Sequence, residues 1–380
     1  YLNSYNNIFP WPGLCIFVPQ FDLMSTQYIQ LKVETIVRET PDAIAIYFRD
    51  EKGEIPSFWP GQFLTLVLDI NGKSVRRSYS VCTAPSALPV IGVCAKRVEG
   101  GLVSNYLLQN LNEGDYISVI EPYGHFTLNN KRSELPTLAL IGAGSGITPL
   151  MSIMKAALEK QGANKVHLYY GNRDQKNIIF KEQLERLQEK HSERLVITHL
   201  LSRPEMGWSG ITSRIKAELM MQRCNSDGLF ADKTTNYYIC GPEAMMHDVC
   251  HMLESNGIEQ DRLHKESFFH VVRPTETVVI SKDAEDDGTR IVQLKLDGKM
   301  HDVTVAPGRY ILESALEAGL DLPYACTMGV CGMCRAFKVQ GEMIIEDQEA
   351  ISDREIKEGS CLTCVGRPVS KDLIIDYGRM

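Results

Sequence analysis

Three patterns of hydrophobic and polar residues succeed one another along the chain. From residue 27 to 131, short apolar runs such as Gln62–Leu68 and Val90–Lys96 are parted by Gly, Pro and Asn. Turn signals at this pace predict an antiparallel β-barrel. From 132 to 270 the pattern changes to strand then helix, repeated. Strands are predicted at Thr137–Ile141, Lys165–Tyr170, Leu195–Leu200 and Asn236–Ile239, with helices at Pro149–Glu159 and Lys181–Lys190. Such alternation predicts a parallel α/β sheet. Residues 271–290 are polar and charged and are expected to be a linker. Residues 291–380 predict a small α+β unit, with a hairpin across Asp297-Gly298, a helix near Tyr310–Ala318 and then a cysteine-rich loop.

Residues 1–26 stand apart. The stretch Tyr1–Leu23 is rich in Phe, Pro, Trp and Asn and lacks a basic leader segment, so it does not resemble a signal peptide. Met24 precedes an alternating strand pattern and is expected to be the true start; the other reading is a disordered extension.

Length and charge narrow the function. At 380 residues the chain exceeds one core, consistent with the multidomain pattern. A net charge of -8 argues against nucleic acid as a partner, since phosphate binding wants a basic surface. No apolar run approaches the ~18 residues that span a bilayer, so no membrane insertion is expected. Five of the 11 cysteines fall between Cys326 and Cys364. That clustering suggests metal ligation in a reducing compartment, taken to be the cytoplasm.

Cys326, Cys331 and Cys334 have the C-x4-C-x2-C spacing of a plant-type [2Fe–2S] site, which takes a fourth thiolate from a distant segment. Gly329 and Gly332 would permit the positive φ and close approach of a loop wrapped on sulfur. The alternative is tetrahedral zinc on the two C-x2-C pairs, Cys331/Cys334 and Cys361/Cys364. That set leaves Cys326 idle, and the gap between its pairs is long for a zinc ribbon.

The predicted strand Thr137–Ile141 runs into Gly142-Ala-Gly144-Ser-Gly146-Ile-Thr148-Pro149 and then a helix. Glycines there let the backbone close on a pyrophosphate, and the helix N-terminus offers free N–H groups. A plain tight connection is the alternative. Strand Asn236–Ile239 ends in Cys240-Gly241-Pro242, and strand C-terminal ends are where open α/β sheets bind ligands. Cys240 could equally be a core thiol. In the barrel region, Arg77-Ser78-Tyr79-Ser80 offers a guanidinium for phosphate, a flat ring and hydroxyls, and Gly100-Gly101-Leu-Val103-Ser104 offers a second phosphate cradle. A solvated strand is the alternative for the first of these.

Together these residues resemble the ferredoxin–NADP reductase family from residue 28 to 380. Arg77-x-Tyr79-Ser80 matches its flavin signature, Gly101-x-x-Ser104 its flavin-phosphate loop and Gly142–Pro149 its nucleotide loop. Cys240-Gly-Pro242 and Glu266-Ser-Phe268 match its segments near the nicotinamide and flavin rings. The C-terminal ferredoxin pattern is similar to the branch that serves oxygenases, phenylacetyl-CoA epoxidase among them; reductases of hybrid-cluster proteins and steroid hydroxylases share the arrangement.

The resemblance implies FAD, a [2Fe–2S] cluster and NADPH or NADH as co-substrate. It places Val93, Ala95, Lys96 and Val103 on the flavin beside Arg77, Tyr79 and Ser80. It makes Ser80, Cys240 and Glu266 the residues at the transfer site and selects Cys364 as the fourth cluster ligand. Hydride would pass from nicotinamide to flavin, and single electrons through the cluster to a protein partner: a terminal oxygenase, a hybrid-cluster protein or a free ferredoxin. A redox-sensing flavoprotein without turnover is the alternative of a different class. Ser202-Arg203 follows the strand Leu195–Leu200 and is expected to hold a 2′-phosphate, favouring NADPH; the other reading pairs Arg203 with Glu205.

Overall fold

The protein is described from a computed structural model, at residues 28–128, 136–162, 164–268 and 288–378 apart from positions 325, 328, 330, 347 and 349. The expected N-terminal extension and nearly all of the expected linker lie outside these residues. Within the first unit, strands β1 (Ile29–Thr40), β2 (Ala43–Arg49), β3 (Phe63–Ile70), β4 (Lys73–Ser80), β5 (Val90–Lys96) and β6 (Tyr116–Tyr123) form one antiparallel sheet. Its order is β4-β3-β6-β1-β2-β5. A bridge between Val81 and Val93 joins the two edges and closes the barrel. The core is filled by alternate residues, Leu64 and Leu66 on β3 and Ile91, Val93 and Ala95 on β5 among them. Helix α1 (Leu102–Asn110), which the strand-like punctuation of this region did not predict, plugs one end through Val103 and Leu107.

The second unit is a doubly wound parallel sheet. It runs β7 (Leu138–Ala143), α2 (Ile147–Glu159), β8 (Val166–Asn172), α3 (Lys181–Lys190), β9 (Leu195–Leu201), β10 (Ile211–Thr212), α4 (Ala217–Ser226), β11 (Asn236–Cys240), α5 (Glu243–Ser255) and β12 (Leu263–Glu266). The order β10-β9-β8-β7-β11-β12 reverses direction between β7 and β11. That switch point is where loops on opposite faces part and leave a crevice. The predicted strands lie within a residue or two of the observed ones. The short edge strands β10 and β12 carry too little pattern to be read in advance.

The third unit holds β13 (Arg290–Leu296), β14 (Lys299–Val305), α6 (Ile311–Glu317), β15 (Arg335–Gln340), β16 (Met343–Ile345), α7 (Asp353–Lys357), β17 (Ser360–Leu362), β18 (Gly366–Pro368) and β19 (Ile374–Asp376). The main sheet is ordered β14-β13-β19-β15-β17, and α6 packs on it through Ile311, Leu312 and Ala315. Asp297 and Gly298 take φ of 49° and 75°, the pair of positive values a two-residue hairpin needs. Arg290 belongs to β13 rather than to the linker: it is buried and donates to the Val369 carbonyl at 2.8 Å. No helix among the described residues is long and apolar enough to cross a membrane.

Candidate functional site

The strand ends of all three units border one cavity of ≈ 1490 Å³. That exceeds the ~300–1,000 Å³ of a single small-molecule pocket. The barrel contributes the end of β4 (Arg77, Ser78, Tyr79, Ser80), Lys96 and the start of α1 (Gly101, Val103, Ser104). The α/β unit contributes Gly144, Thr148, Ser202, Pro242, Glu266 and Phe268. Cys326 and Cys331 reach it from the third unit.

Two helix N-termini open into this space. α1 and α2 are both capped by glycine, Gly101 and Gly146, so no cap side chain stands between either helix start and the cavity. A helix N-terminus open to a cavity is suited to an anion. The loop before α1 is held by its own bonds: Ser104 Oγ accepts from Val98 N at 3.1 Å, and Asn105 Nδ2 donates to the Val98 carbonyl at 3.0 Å. The loop before α2 is fixed by Tyr170, whose hydroxyl donates to the Gly144 carbonyl at 2.9 Å, and by Thr148, which donates to the Ser145 carbonyl at 2.8 Å. Gly144 takes φ +57°, and a Cβ there would stand 3.4 Å from the Lys96 amine. A cation from the barrel thus overlooks the glycine loop of the α/β unit.

Several expected contacts are not made by side chains. Val93 and Ala95 point into the barrel core and are fully buried; strand alternation turns Cys94 and Lys96 to the cavity instead. Gly142 and Gly146 lie behind the wall. A Cβ on Gly142 would meet Leu150 at 2.6 Å, and one on Gly146 would meet the Cys240 carbonyl at 2.1 Å. They let the turn into α2, and α2 itself, lie close against the ends of β7 and β11. Gly241 likewise has Met245 and Ala143 against it, and Gly100 and Pro149 do not line the cavity. The Cys240 side chain is enclosed in the core, and burial pushes its thiol well above its usual range. Its backbone, not its sulfur, shapes the site.

A carboxyl and a hydroxyl meet across the first two units at the cavity, near a second contact between Cys94 and the Thr148 side chain. The pairing of β11 with β12 sets Glu266 beside Cys240, and the Ser80 hydroxyl donates to Glu266 Oε2 at 3.2 Å. Burial raises the Glu266 carboxyl to about 8, and the Ser80 hydrogen bond draws it part of the way back. At neutral pH the acid is therefore largely protonated.

The cysteine loop sits against the barrel. Cys326 and Cys331 are buried with Phe63, flanked by Tyr123 and Met333. Gly329 and Gly332 take φ of 74° and 77°, and Thr327 shares the left-handed region at 57°. The sulfurs of Cys326, Cys331, Cys334 and Cys364 hydrogen-bond among themselves. The bond from Cys364 holds the Cys334 thiol low, while those sharing with Cys326 push Cys331 and Cys364 up. The Met333 N–H donates to Cys331 Sγ at 3.4 Å. Four buried thiols with a backbone donor on one sulfur suit an iron–sulfur cluster. Cys361 turns away: it donates to the Ala336 carbonyl at 3.4 Å, and burial lifts its thiol to about 12. That geometry does not favour the zinc set.

Some bordering residues escaped the sequence. Arg173, Arg214 and Lys216 line the cavity near Ser202, while Arg203 beside it is exposed. Glu205 pairs with Lys176 at 2.6 Å, not with Arg203. Phe63 and His125 meet the cluster side, as does Arg335, paired with Glu355 at 2.9 Å. Only Arg335, adjoining Cys334, stood next to a motif.

The chain matches three family models: an oxidoreductase FAD-binding domain at residues 21–128, an oxidoreductase NAD-binding domain at 140–251 and a 2Fe-2S iron-sulfur cluster binding domain at 294–369. It is similar to a component of the 1,2-phenylacetyl-CoA epoxidase of Escherichia coli, 31% identical over 93% of this chain and 98% of that one. It is also similar to the ferredoxin reductase component of 3-ketosteroid-9-alpha-monooxygenase of Rhodococcus rhodochrous, 34% identical over 91% and 96%. Among solved structures, phthalate dioxygenase reductase superposes with a TM-score of 0.60 at 25% identity, covering 92% of this chain and 98% of that one.

The Glu266 carboxyl gives a signed pH dependence. Its folded value lies above its ordinary 4.5, so its protonated form favours the fold; that contribution is full below 4.5 and is lost as pH rises toward 8. Relative to Glu266→Gln, the flavin-free protein should therefore lose thermal stability progressively from about pH 4.5 to 8. Melting curves at stepped pH check this. A constant difference between the two proteins would mean that Glu266 titrates normally.

Proposed function

This chain belongs to the oxygenase-serving branch of the ferredoxin–NADP reductase family, and on that footing we propose that NADPH enters the α/β side of the cavity, FAD lies on its barrel side, and Cys326, Cys331, Cys334 and Cys364 hold the cluster that feeds a terminal oxygenase. The observation that carries this reading is the shared cavity: flavin-type, nucleotide-type and cluster-type segments border the same space. When bound, FAD supplies two-electron uptake with one-electron release, and the cluster a one-electron relay.

The protein's part is orientation, charge and dryness. Arg77 and the α1 N-terminus would take the flavin pyrophosphate, with Ser104 shaping the loop; the Arg77 guanidinium is steadied by a bond to the Arg76 carbonyl at 3.2 Å. Tyr79 gives a ring face, and Ser80 a hydroxyl that reaches the protonated Glu266. Gly144, Ser145 and the α2 N-terminus would take the nucleotide pyrophosphate. A carboxyl kept neutral beside the reacting rings can donate a hydrogen bond, or give up its proton at the cost of leaving a carboxylate there.

The preference for NADPH rests on the cations at the far end of the cavity. Ser202, Arg173, Arg214 and Lys216 border it there, and Arg203 is not engaged by Glu205. A phosphate dianion is well matched to such a group. For the acceptor, the similarity to the phenylacetyl-CoA epoxidase component favours an oxygenase of that type. Reconstitution with such an oxygenase, scored by coupled product formation, tests the assignment; turnover only with another acceptor overturns it.

Two substitutions separate the cluster from the flavin. Cys364→Ser should lose the cluster's visible absorbance and electron delivery to a one-electron acceptor such as cytochrome c, while the flavin is still bleached by nucleotide. Cys361→Ser should keep all three. The reverse pattern would show that Cys361 is the fourth ligand.

Arg203→Ala should raise KM for NADPH roughly tenfold and leave NADH nearly unchanged, since a charge-assisted hydrogen bond is worth ~1.5–3 kcal/mol. Steady-state kinetics with both nucleotides check it. Equal losses, or a wild-type preference for NADH, would mean that Arg203 does not read the phosphate.

A further inference from the structure

Arg76 has no place in the site described above, yet it is one of the most enclosed charges in the protein, 6% exposed. It adjoins Arg77 on β4, and strand alternation sends its side chain to the other face. There the guanidinium leaves the barrel for the cluster-bearing unit. It pairs with Asp321 at 2.9 Å, donates to the Leu322 carbonyl at 3.4 Å and lies 4.4 Å over the ring of Tyr324. All three partners come from the short segment between α6 and Cys326. Tyr28 backs it from the barrel side, accepting a hydrogen bond at its hydroxyl.

A buried cation requires partners, and removing them leaves an uncompensated charge. Most of the partners of Arg76 belong to the other unit, so its solvation and the docking of that unit are one equilibrium. Among the described residues the apolar contact at this junction is small: Phe63 and Tyr123 against Cys326, Cys331 and Met333. Apolar contact of that size brings surfaces together without fixing their angle. A planar guanidinium held by a carboxylate, a carbonyl and a ring face fixes it in several directions at once. The position is also telling. Arg76 is one residue from Arg77 on the flavin side, and Tyr324 is two residues from Cys326 on the cluster side.

We propose that Arg76 is the docking latch of the cluster-bearing unit, a positioning residue that sets the flavin-to-cluster distance by closing on Asp321, Leu322 and Tyr324. The proposal rests on the reading that flavin and cluster occupy opposite sides of the shared cavity. Electron transfer falls steeply with distance, so an unlatched unit delivers electrons slowly even when both redox groups are intact. Hydride arrival is untouched, because the Ser80–Glu266 junction lies on the other side of the flavin site.

The test perturbs the latch from each side in the full-length holoprotein, with Arg76→Met and Asp321→Lys. Small-angle X-ray scattering should show a larger radius of gyration for both. Anaerobic stopped-flow should show cluster reduction slowed tenfold or more, with flavin bleaching by nucleotide at the wild-type rate. Because Asp321→Lys acts by repelling Arg76, the double variant should be no slower than Arg76→Met alone. Unchanged scattering together with an unchanged cluster rate would overturn the latch, as would a loss of flavin bleaching in step with cluster reduction. Scattering reads the docking whether or not the redox groups are bound. If the wild-type chain carried no flavin or cluster, the reading of the cavity would fail while the latch was still decided.

Discussion

The hydrogen bond from Ser80 to Glu266 joins residues 186 positions apart and ties the barrel to the α/β sheet where their strand ends meet. The rest of the site depends on that junction. It can form because β12 pairs in register with β11, with Cys240 opposite Glu266. Behind it, Gly146 lets the turn into α2 lie against the end of β11, where a Cβ would stand 2.1 Å from the Cys240 carbonyl. Glycines in a loop that looks made for phosphate thus also serve the packing that brings two domains to one wall.

The same economy is visible in the helix termini. α1 and α2 belong to different units, yet each begins at the cavity behind a glycine cap that puts no side chain in the way. Two positive helix ends facing one space suit a pair of pyrophosphates. Lys96 above Gly144 and the arginines near Ser202 add charge along the same wall. A chain with net charge -8 thus gathers cations along one wall of its cavity.

The legible parts of the sequence were those in which chemistry forces spacing. The cysteine loop had to turn at Gly329 and Gly332, and both residues take positive φ. The strand–helix alternation of the α/β unit is a property of burial on both faces of a parallel sheet, and its central strands were readable for that reason. Helix α1 was not, because it is short and lies among strands with similar apolar content. Val93 and Ala95 show another limit: a motif gives neighbours in sequence, whereas alternation decides which of them faces a ligand. Phe63, His125 and Arg214 border the cavity from segments that carry no motif, and tertiary packing alone brings them there.

Nucleotide-, flavin- and cluster-type segments bordering one cavity should let electrons pass within a single molecule. Anaerobic single-turnover mixing with a stoichiometric amount of NADPH, repeated over a wide range of protein concentration, tests it most directly. Flavin bleaching should precede loss of the cluster's absorbance, and the rate of the second phase should not vary with protein concentration. A second phase whose rate rises in proportion to concentration would mean that electrons pass between molecules, and that the cavity does not join the three sites.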